Sequence, residues 1–148
     1  FSRIMSLKDG AKKMSKSELS DLSRINLTDE KDEIINKIKK AKTDPLPMPS
    51  TIEELSQRAE AKNLIGIYSS LNNLSLEKTI KQFSGKNFSD FKNALSQVLI
   101  DKIHPISKEI KKLLNEKMYI DEILAEGCKK AEHIASEKIK KIHEIVGF

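Results

Sequence analysis

The chain has 148 residues, enough for about one domain that buries roughly two-thirds of its unfolded surface. Hydrophobic residues make up 38% and charged residues 33%, which is typical of a soluble globular chain and argues against a disordered or membrane-spanning one. Cys128 is the single cysteine, which excludes a disulfide framework, and His104, His133 and His143 are too scattered for a metal site.

The charge balance allows two interpretations. A net charge of +5 and a pI of about 9.2 favour a nucleic-acid partner, because lysines placed near phosphates release counterions on binding. However, Arg3, Arg24 and Arg58 are the only arginines, and a composition rich in lysine, isoleucine and asparagine produces the same charge without any such partner. Charge alone leaves both interpretations open.

The first 28 residues have no helical periodicity. Residues 1–7 alternate between apolar and polar side chains, which predicts a short strand. Asp9-Gly10 then predicts a turn. The lysine- and serine-rich run at residues 12–17 fits neither helix nor strand, so we expect it on a loop.

From Thr28 onward the pattern is helical. Thr28 is expected to be the N-cap of the first helix, with Asp29 and Glu30 in its first turn, and Asp44-Pro45 ends it. Its predicted buried stripe consists of Ile34, Ile35, Ile38 and Ala41. Three prolines then predict an extended connector, at Pro45, Pro47 and Pro49.

Capping residues and breakers predict where the later helices begin and end. Ser50 with Glu53 has the pattern of a capping box, and Ser75 is expected to cap a short helix that stops at Gly85. Pro105 is expected to bend or break the long helix that follows.

The last helix has the most regular apolar stripe, and Gly147 is expected to end it. The stripe consists of Ile120, Ile123, Leu124, Gly127, Ala131, Ile134, Ala135, Ile139, Ile142 and Ile145. Burial of this stripe against a neighbouring helix would give a helical bundle with short loops. A basic face on the same helix could contact tRNA or simply be solvated, and it comprises Lys129, Lys130, Lys138, Lys140 and Lys141.

Residues 13–17 spell KMSKS, a signature of class I aminoacyl-tRNA synthetases. With its surroundings, the chain resembles the bacterial tryptophanyl-tRNA synthetases over essentially its whole length. The matching stretches are residues 3–7, 25–29, 37–44 and 60–68, followed by Phe91-Lys92, Gly127, Ala131, Ile134-Ala135 and Val146-Gly147. The tyrosyl enzymes are less similar, because their loop usually replaces Met14-Ser15 with Phe-Gly.

The chain departs from the family pattern at two places. The family often has proline where this chain has Ala59, and an aspartate-proline pair where it has Glu18-Leu19. Both bear only on the local conformation of the loop.

The resemblance implies a role for each residue of the loop. Lys16 first and Lys13 second are expected to be catalytic, because cations fixed near the departing phosphates of ATP lower the barrier to amino-acid activation. Ser15 and Ser17 would add hydroxyl donors to this ATP-binding loop. Ile4 and the backbone of Met14 would line the adenine.

A second signature of the family, an HxGH histidine pair, is missing, because no histidine precedes His104. With Phe1 in place of an initiating methionine and no signal peptide, this predicts the carboxy-terminal half of a longer enzyme. Residues 1–28 would then be the end of a nucleotide-binding α/β domain, a strand and a mobile loop. Residues 29–148 would form the α-helical, anticodon-binding-type domain, so that the fold is mainly α.

For the intact enzyme, the resemblance implies a cytoplasmic, homodimeric tryptophan–tRNA ligase of translation with no membrane partner. Its substrates would be tryptophan, tRNA(Trp) and ATP, with Mg²⁺ bound through the ATP phosphates rather than by protein ligands. The fragment alone is expected to be inactive. Two alternatives stay open: a stand-alone helical tRNA-binding module with a vestigial loop, and a helical protein-interaction domain.

Overall fold

Six α-helices follow one another in the part of the chain that the computed structural model describes, residues 3–147, so the mainly helical prediction is confirmed. In chain order they are α1 Lys31–Lys39, α2 Ile52–Ser56, α3 Ala59–Leu71, α4 Leu76–Phe83, α5 Phe88–Asn115 and α6 Lys117–Val146. A 3-10 helix at Asp21–Ser23 precedes them. Phe1 and Ser2, where the predicted strand begins, and Phe148 lie outside the described residues.

The predicted strand is reduced to one antiparallel bridge between Met5 and Lys13. A strand extends only as far as it has a partner to pair with, and here the partner is the short segment on the far side of the Asp9-Gly10 turn. The loop predicted at residues 12–17 is confirmed except at Lys13, which forms this bridge, because no helix or strand is found at the other positions.

Helix α1 begins later than its sequence predicts. Its N-cap is Glu30, which forms a capping box with Glu33, rather than Thr28. Asp29 is buried before the helix begins, and its carboxylate accepts hydrogen bonds from the Lys37 ammonium and the Asn26 N–H. It therefore stabilises the turn that precedes α1 and does not lie in the first turn of the helix. Ile34, Ile38 and Ala41 are buried as predicted, whereas Ile35 is exposed.

The capping predictions for the middle helices are accurate to within one residue. The cap predicted at Ser50 lies at Thr51, whose hydroxyl accepts a hydrogen bond from the Glu54 N–H at 3.1 Å. The reciprocal bond of the predicted capping box is not formed, because the Glu54 carboxylate accepts from the Ser50 N–H at 2.8 Å. Ser75 caps α4 as predicted, and Gly85, with a φ of 71°, follows its end.

The chain divides into two units, Phe1–Lys108 and Glu109–Phe148. The first contains the hydrophobic core, in which Leu7 from the amino-terminal segment joins side chains of α1 to α5. At its centre the rings of Tyr68, Phe83 and Phe91 form edge-on contacts, with centroids 4.9 Å apart for Phe83 and Phe91.

Helix α5 continues through Pro105 to Asn115, so the predicted break does not occur. A proline removes one backbone hydrogen bond from a helix without necessarily ending it.

No residue of helix α6 is buried and all but Ile120 are exposed, so the prediction that its apolar stripe is buried is wrong for this chain. Ile123, Ile134 and Ile142 are all more than half exposed. The predicted end is confirmed, because Gly147 adopts the left-handed conformation with a φ of 83°. No helix within residues 3–147 has the length and apolar character that crossing a bilayer requires.

Candidate functional site

The site is built on a short hairpin. The Met14 N–H donates to the Ile4 carbonyl at 3.1 Å, and the Ser6 N–H donates to the Lys12 carbonyl at 2.8 Å. At the tip, the Asp9 carboxylate accepts a hydrogen bond from the Ala11 N–H at 3.0 Å, which favours a tight turn. The hairpin thereby places Ile4 beside Met14, at the beginning of the signature loop.

Helix α3 packs against this hairpin. Gly10 is buried with its backbone so close to the start of α3 that a Cβ would lie 2.7 Å from the carbonyl carbon of Ala59. One turn further along α3, the buried Asn63 side chain accepts a hydrogen bond from the Met5 N–H and donates one to the Met5 carbonyl. The position of the loop is thus coupled to α3 at two places.

The signature loop is exposed except for Met14, which packs in part against the core. The Ser15 hydroxyl lies 2.9 Å from the Ser17 hydroxyl and accepts a hydrogen bond from the Ser17 N–H at 3.3 Å. These contacts make a compact turn that projects Lys16. Among residues 3–147, neither Lys13 nor Lys16 has a carboxylate partner, so both ammonium groups are available to an anionic ligand.

An open cleft brings most of the predicted site residues together. Its lining consists of Arg3, Ile4, Lys13, Met14, Ser15, Lys16, Arg24, Ile25, Asn26 and Leu27. Of the residues expected to bind ATP, only Ser17 lies outside this lining. Four of the lining side chains are cationic, none is acidic, and four are aliphatic or thioether groups.

This combination suits a ligand with a polyanionic part and a flat apolar part. Guanidinium and ammonium groups bind phosphate oxygens, and Met14 with its aliphatic neighbours can cover the face of a ring. Sequence reasoning missed five lining residues, Arg3, Arg24, Ile25, Asn26 and Leu27, although residues 3–7 and 25–29 belong to stretches that carry the family resemblance. Within residues 3–147, no three His, Cys, Asp or Glu side chains are grouped as metal ligands.

A charge network around a buried lysine, Lys37, holds the segment that returns from the loop. The Lys37 ammonium on α1 lies 2.6 Å from both Asp21 and Asp29, and only 4% of its side chain is exposed. Burial pulls the pKa of Lys37 down, but hydrogen bonds to both carboxylates outweigh burial and raise it. The hydrogen bond from Lys37 lowers the pKa of Asp21. Both partners therefore stay charged over the physiological range.

Comparison with known proteins gives a consistent result. The family model described as tRNA synthetases class I (W and Y) matches residues 1–104. The chain is 47% identical to the tryptophan–tRNA ligase of Agrobacterium fabrum over 146 residues, covering 99% of this chain and 41% of that protein. With the ligase of Rickettsia felis, it shares 48% identity, covering 99% of this chain and 44% of that protein. The chain thus spans less than half the length of the curated relatives it matches.

Solved structures show the same fold. The tryptophanyl-tRNA synthetase of Campylobacter jejuni in complex with ADP and tryptophan aligns with a TM-score of 0.77 at 24% identity, covering 99% of this chain and 44% of that one. The enzyme of Mycoplasma pneumoniae aligns with a TM-score of 0.69 at 24% identity, covering 99% of this chain and 45% of that one. At this identity the alignment shows a shared fold.

Proposed function

The chain belongs to the class I tRNA synthetases of the tryptophan and tyrosine group, and from this membership we propose that it is the carboxy-terminal portion of a tryptophan–tRNA ligase. The intact enzyme would activate tryptophan with ATP to tryptophanyl-adenylate, release pyrophosphate, and transfer tryptophan to tRNA(Trp). Tryptophan is favoured over tyrosine because relatives at 45–48% identity are tryptophan–tRNA ligases. We assign residues 1–28 to the end of the nucleotide-binding domain and residues 29–148 to the helical, anticodon-binding-type domain.

The observation that carries this proposal is the cationic, partly apolar cleft formed by the signature loop. In the proposed complex, Ile4 and the Met14 backbone cover the adenine. Lys13 and Lys16 contact the phosphates, and the hydroxyl groups of Ser15 and Ser17 donate hydrogen bonds to phosphate oxygens. Mg²⁺ would enter bound to the ATP phosphates, and the Campylobacter jejuni relative, solved with ADP and tryptophan, supports a nucleotide as a ligand of the intact enzyme.

The chemistry follows from where negative charge develops. Attack of the tryptophan carboxylate on the α-phosphate breaks the bond to pyrophosphate, so charge accumulates on the departing group. An ammonium held at that place interacts more strongly with the transition state than with the ground state, and it therefore raises the rate. Lys16, exposed and projected by the Ser15–Ser17 turn, is suited to this role because its long side chain can follow the leaving group.

The partners in this proposal are tRNA(Trp) and, in the intact enzyme, a second copy of the protein in the cytoplasm. The exposed lysines of α6 supply a basic surface for tRNA. Filter binding of tRNA(Trp) across a salt series tests this contact, because affinity for a phosphate backbone falls steeply with salt. Affinity that does not change with salt would contradict it.

The direct test uses the full-length protein that carries this segment. We expect tryptophan-dependent exchange of labelled pyrophosphate into ATP, with tyrosine as the matched control substrate. Exchange with tryptophan alone supports the proposal. Exchange with tyrosine alone, or with neither amino acid, contradicts it. The 148-residue chain by itself should support no exchange, because it lacks the histidine signature.

A further inference from the structure

Hydrogen bonds hold the signature loop on both sides of Lys16. On the amino side, the Met14 N–H donates to the Ile4 carbonyl at 3.1 Å. On the carboxyl side, the Arg24 guanidinium donates through Nη1 to the Glu18 carbonyl at 2.9 Å. Lys16 lies between these two ties, so its position depends on both.

The Arg24 guanidinium uses each of its three nitrogens within the loop and its return segment. Besides the bond to Glu18, Nη2 lies 2.9 Å from the Asp21 carboxylate and Nε donates to the Asn26 amide oxygen at 3.1 Å. A planar guanidinium with all three nitrogens engaged has one orientation. The Glu18 carbonyl is therefore held at a defined place, and a lysine could not make the same three contacts.

The Asp21 carboxylate connects Arg24 to the core. One of its oxygens accepts from Arg24, and the other lies 2.6 Å from the buried ammonium of Lys37 on α1. Lys37 keeps a second partner, Asp29, at the same distance. A continuous chain of charged contacts thus runs from α1 to the loop. Asp21 does not line the cleft, so any influence it has on a ligand there must pass through the residues that it contacts, Arg24, Asn26 and Lys37.

We propose that Arg24, oriented by Asp21, is a positioning residue that fixes Lys16 relative to the ATP phosphates in the activation reaction. This inference rests on the proposed function of the loop. Arg24 holds the carboxyl end of the loop through the Glu18 carbonyl, and Asp21 transmits the rigidity of α1 to Arg24. Loss of either contact lets Lys16 occupy positions from which it cannot reach the departing pyrophosphate.

The test is a double-mutant cycle of Asp21→Asn and Lys16→Ala in the full-length protein, read by tryptophan-dependent pyrophosphate exchange. On the wild-type background, Asp21→Asn should lower kcat about tenfold, because misplacing a catalytic group by a fraction of an ångström has effects of this order. The KM for ATP should change less than about twofold, since the contact acts in the transition state. On the Lys16→Ala background, Asp21→Asn should have almost no further effect, because residues that act through one another are not additive.

Controls separate positioning from folding and from the proposed function itself. Asp32→Asn, at an exposed aspartate of α1, should leave kcat unchanged. Asp21→Asn should fold, because Lys37 retains Asp29, and Arg24→Lys gives a second route to the same loss of kcat. Equal losses on both backgrounds, or a normal kcat for Asp21→Asn, would overturn the inference while wild-type exchange upholds the function. A wild-type protein without exchange would overturn the function, and the inference with it.

Discussion

The side-chain amide of Asn63 bonds to the backbone of Met5 as a neighbouring strand would. Its Oδ1 accepts from the Met5 N–H at 2.9 Å, and its Nδ2 donates to the Met5 carbonyl at 2.8 Å. In an antiparallel pair, two opposite residues exchange the same two bonds. The Asn63 side chain thereby connects α3 to the hairpin that carries the signature loop, although Asn63 and Met5 are 58 positions apart in the sequence.

Replacing Asn63 with leucine should destabilise the first unit. The apolar side chain has a similar size but leaves the Met5 N–H and carbonyl without partners, which costs about 1–3 kcal/mol. Urea unfolding of the 148-residue chain measures this loss, and hydrogen exchange at the Met5 amide should become faster. Asn93→Leu, at an exposed position of α5, is the matched control and should change stability by less than about 0.5 kcal/mol. Unaltered exchange at Met5 would contradict the assigned contact.

The pairing of Asn63 with Met5 illustrates what sequence alone could not predict. Local patterns predicted the helices, the cap at Ser75 and the stop at Gly147, because each depends on residues within a few positions of one another. Asn63 lay in a stretch that carried the family resemblance, yet nothing local indicated its partner.

The start of α1 was predicted wrongly for a related reason. Thr28 and Asp29 have the composition of a helix start, but Asp29 bonds to Lys37 two turns into the helix, and Glu30 takes the capping position. The five residues of the signature predicted an ATP-binding loop. Arg24 and Asn26 could not be assigned to the same cleft from the sequence, because only the fold of the segment that returns from the loop places them there.

Gly10 should not tolerate a side chain. A Cβ there would lie 2.7 Å from backbone atoms of Ala59 and Glu60, which cannot move without shifting α3. We expect Gly10→Ala to destabilise the first unit by about 1–3 kcal/mol, as overpacking does. Gly127→Ala is the control, because a Cβ at that position in α6 meets nothing within 4 Å. Thermal unfolding followed by circular dichroism compares the two, and equal stability of Gly10→Ala and wild type would refute the close approach.

Asp44 gives the stability of the first unit a defined pH dependence. Burial would raise the pKa of Asp44, but hydrogen bonds from Arg58 and the Leu46 N–H, with the Arg58 charge, outweigh burial and hold it below its ordinary value of 3.8. A carboxyl group with a lowered pKa in the folded state contributes its full stabilisation above the unfolded-state pKa. This contribution is lost as the pH falls through the lower native value.

We therefore expect Asp44→Asn to reduce the free energy of unfolding at neutral pH and to flatten its decline below about pH 4. Urea unfolding from neutral pH down to about pH 3 measures both effects. Asp32→Asn, at an exposed aspartate, should leave the decline as it is in the wild type. A decline in Asp44→Asn as steep as in the wild type would show that the pair with Arg58 does not govern it.

In the proposed reaction, the Lys16 ammonium neutralises pyrophosphate as it leaves ATP. In the full-length protein, Lys16→Ala should raise the activation free energy of tryptophan-dependent pyrophosphate exchange by about 2–4 kcal/mol and lower kcat accordingly. The KM for ATP should change much less. Lys12→Ala is the matched control, because Lys12 neighbours the same loop but does not line the cleft. This role of Lys16 predicts a near-normal rate for Lys12→Ala and a severe loss for Lys16→Ala. A Lys16→Ala enzyme that exchanges pyrophosphate as fast as the wild type would contradict it.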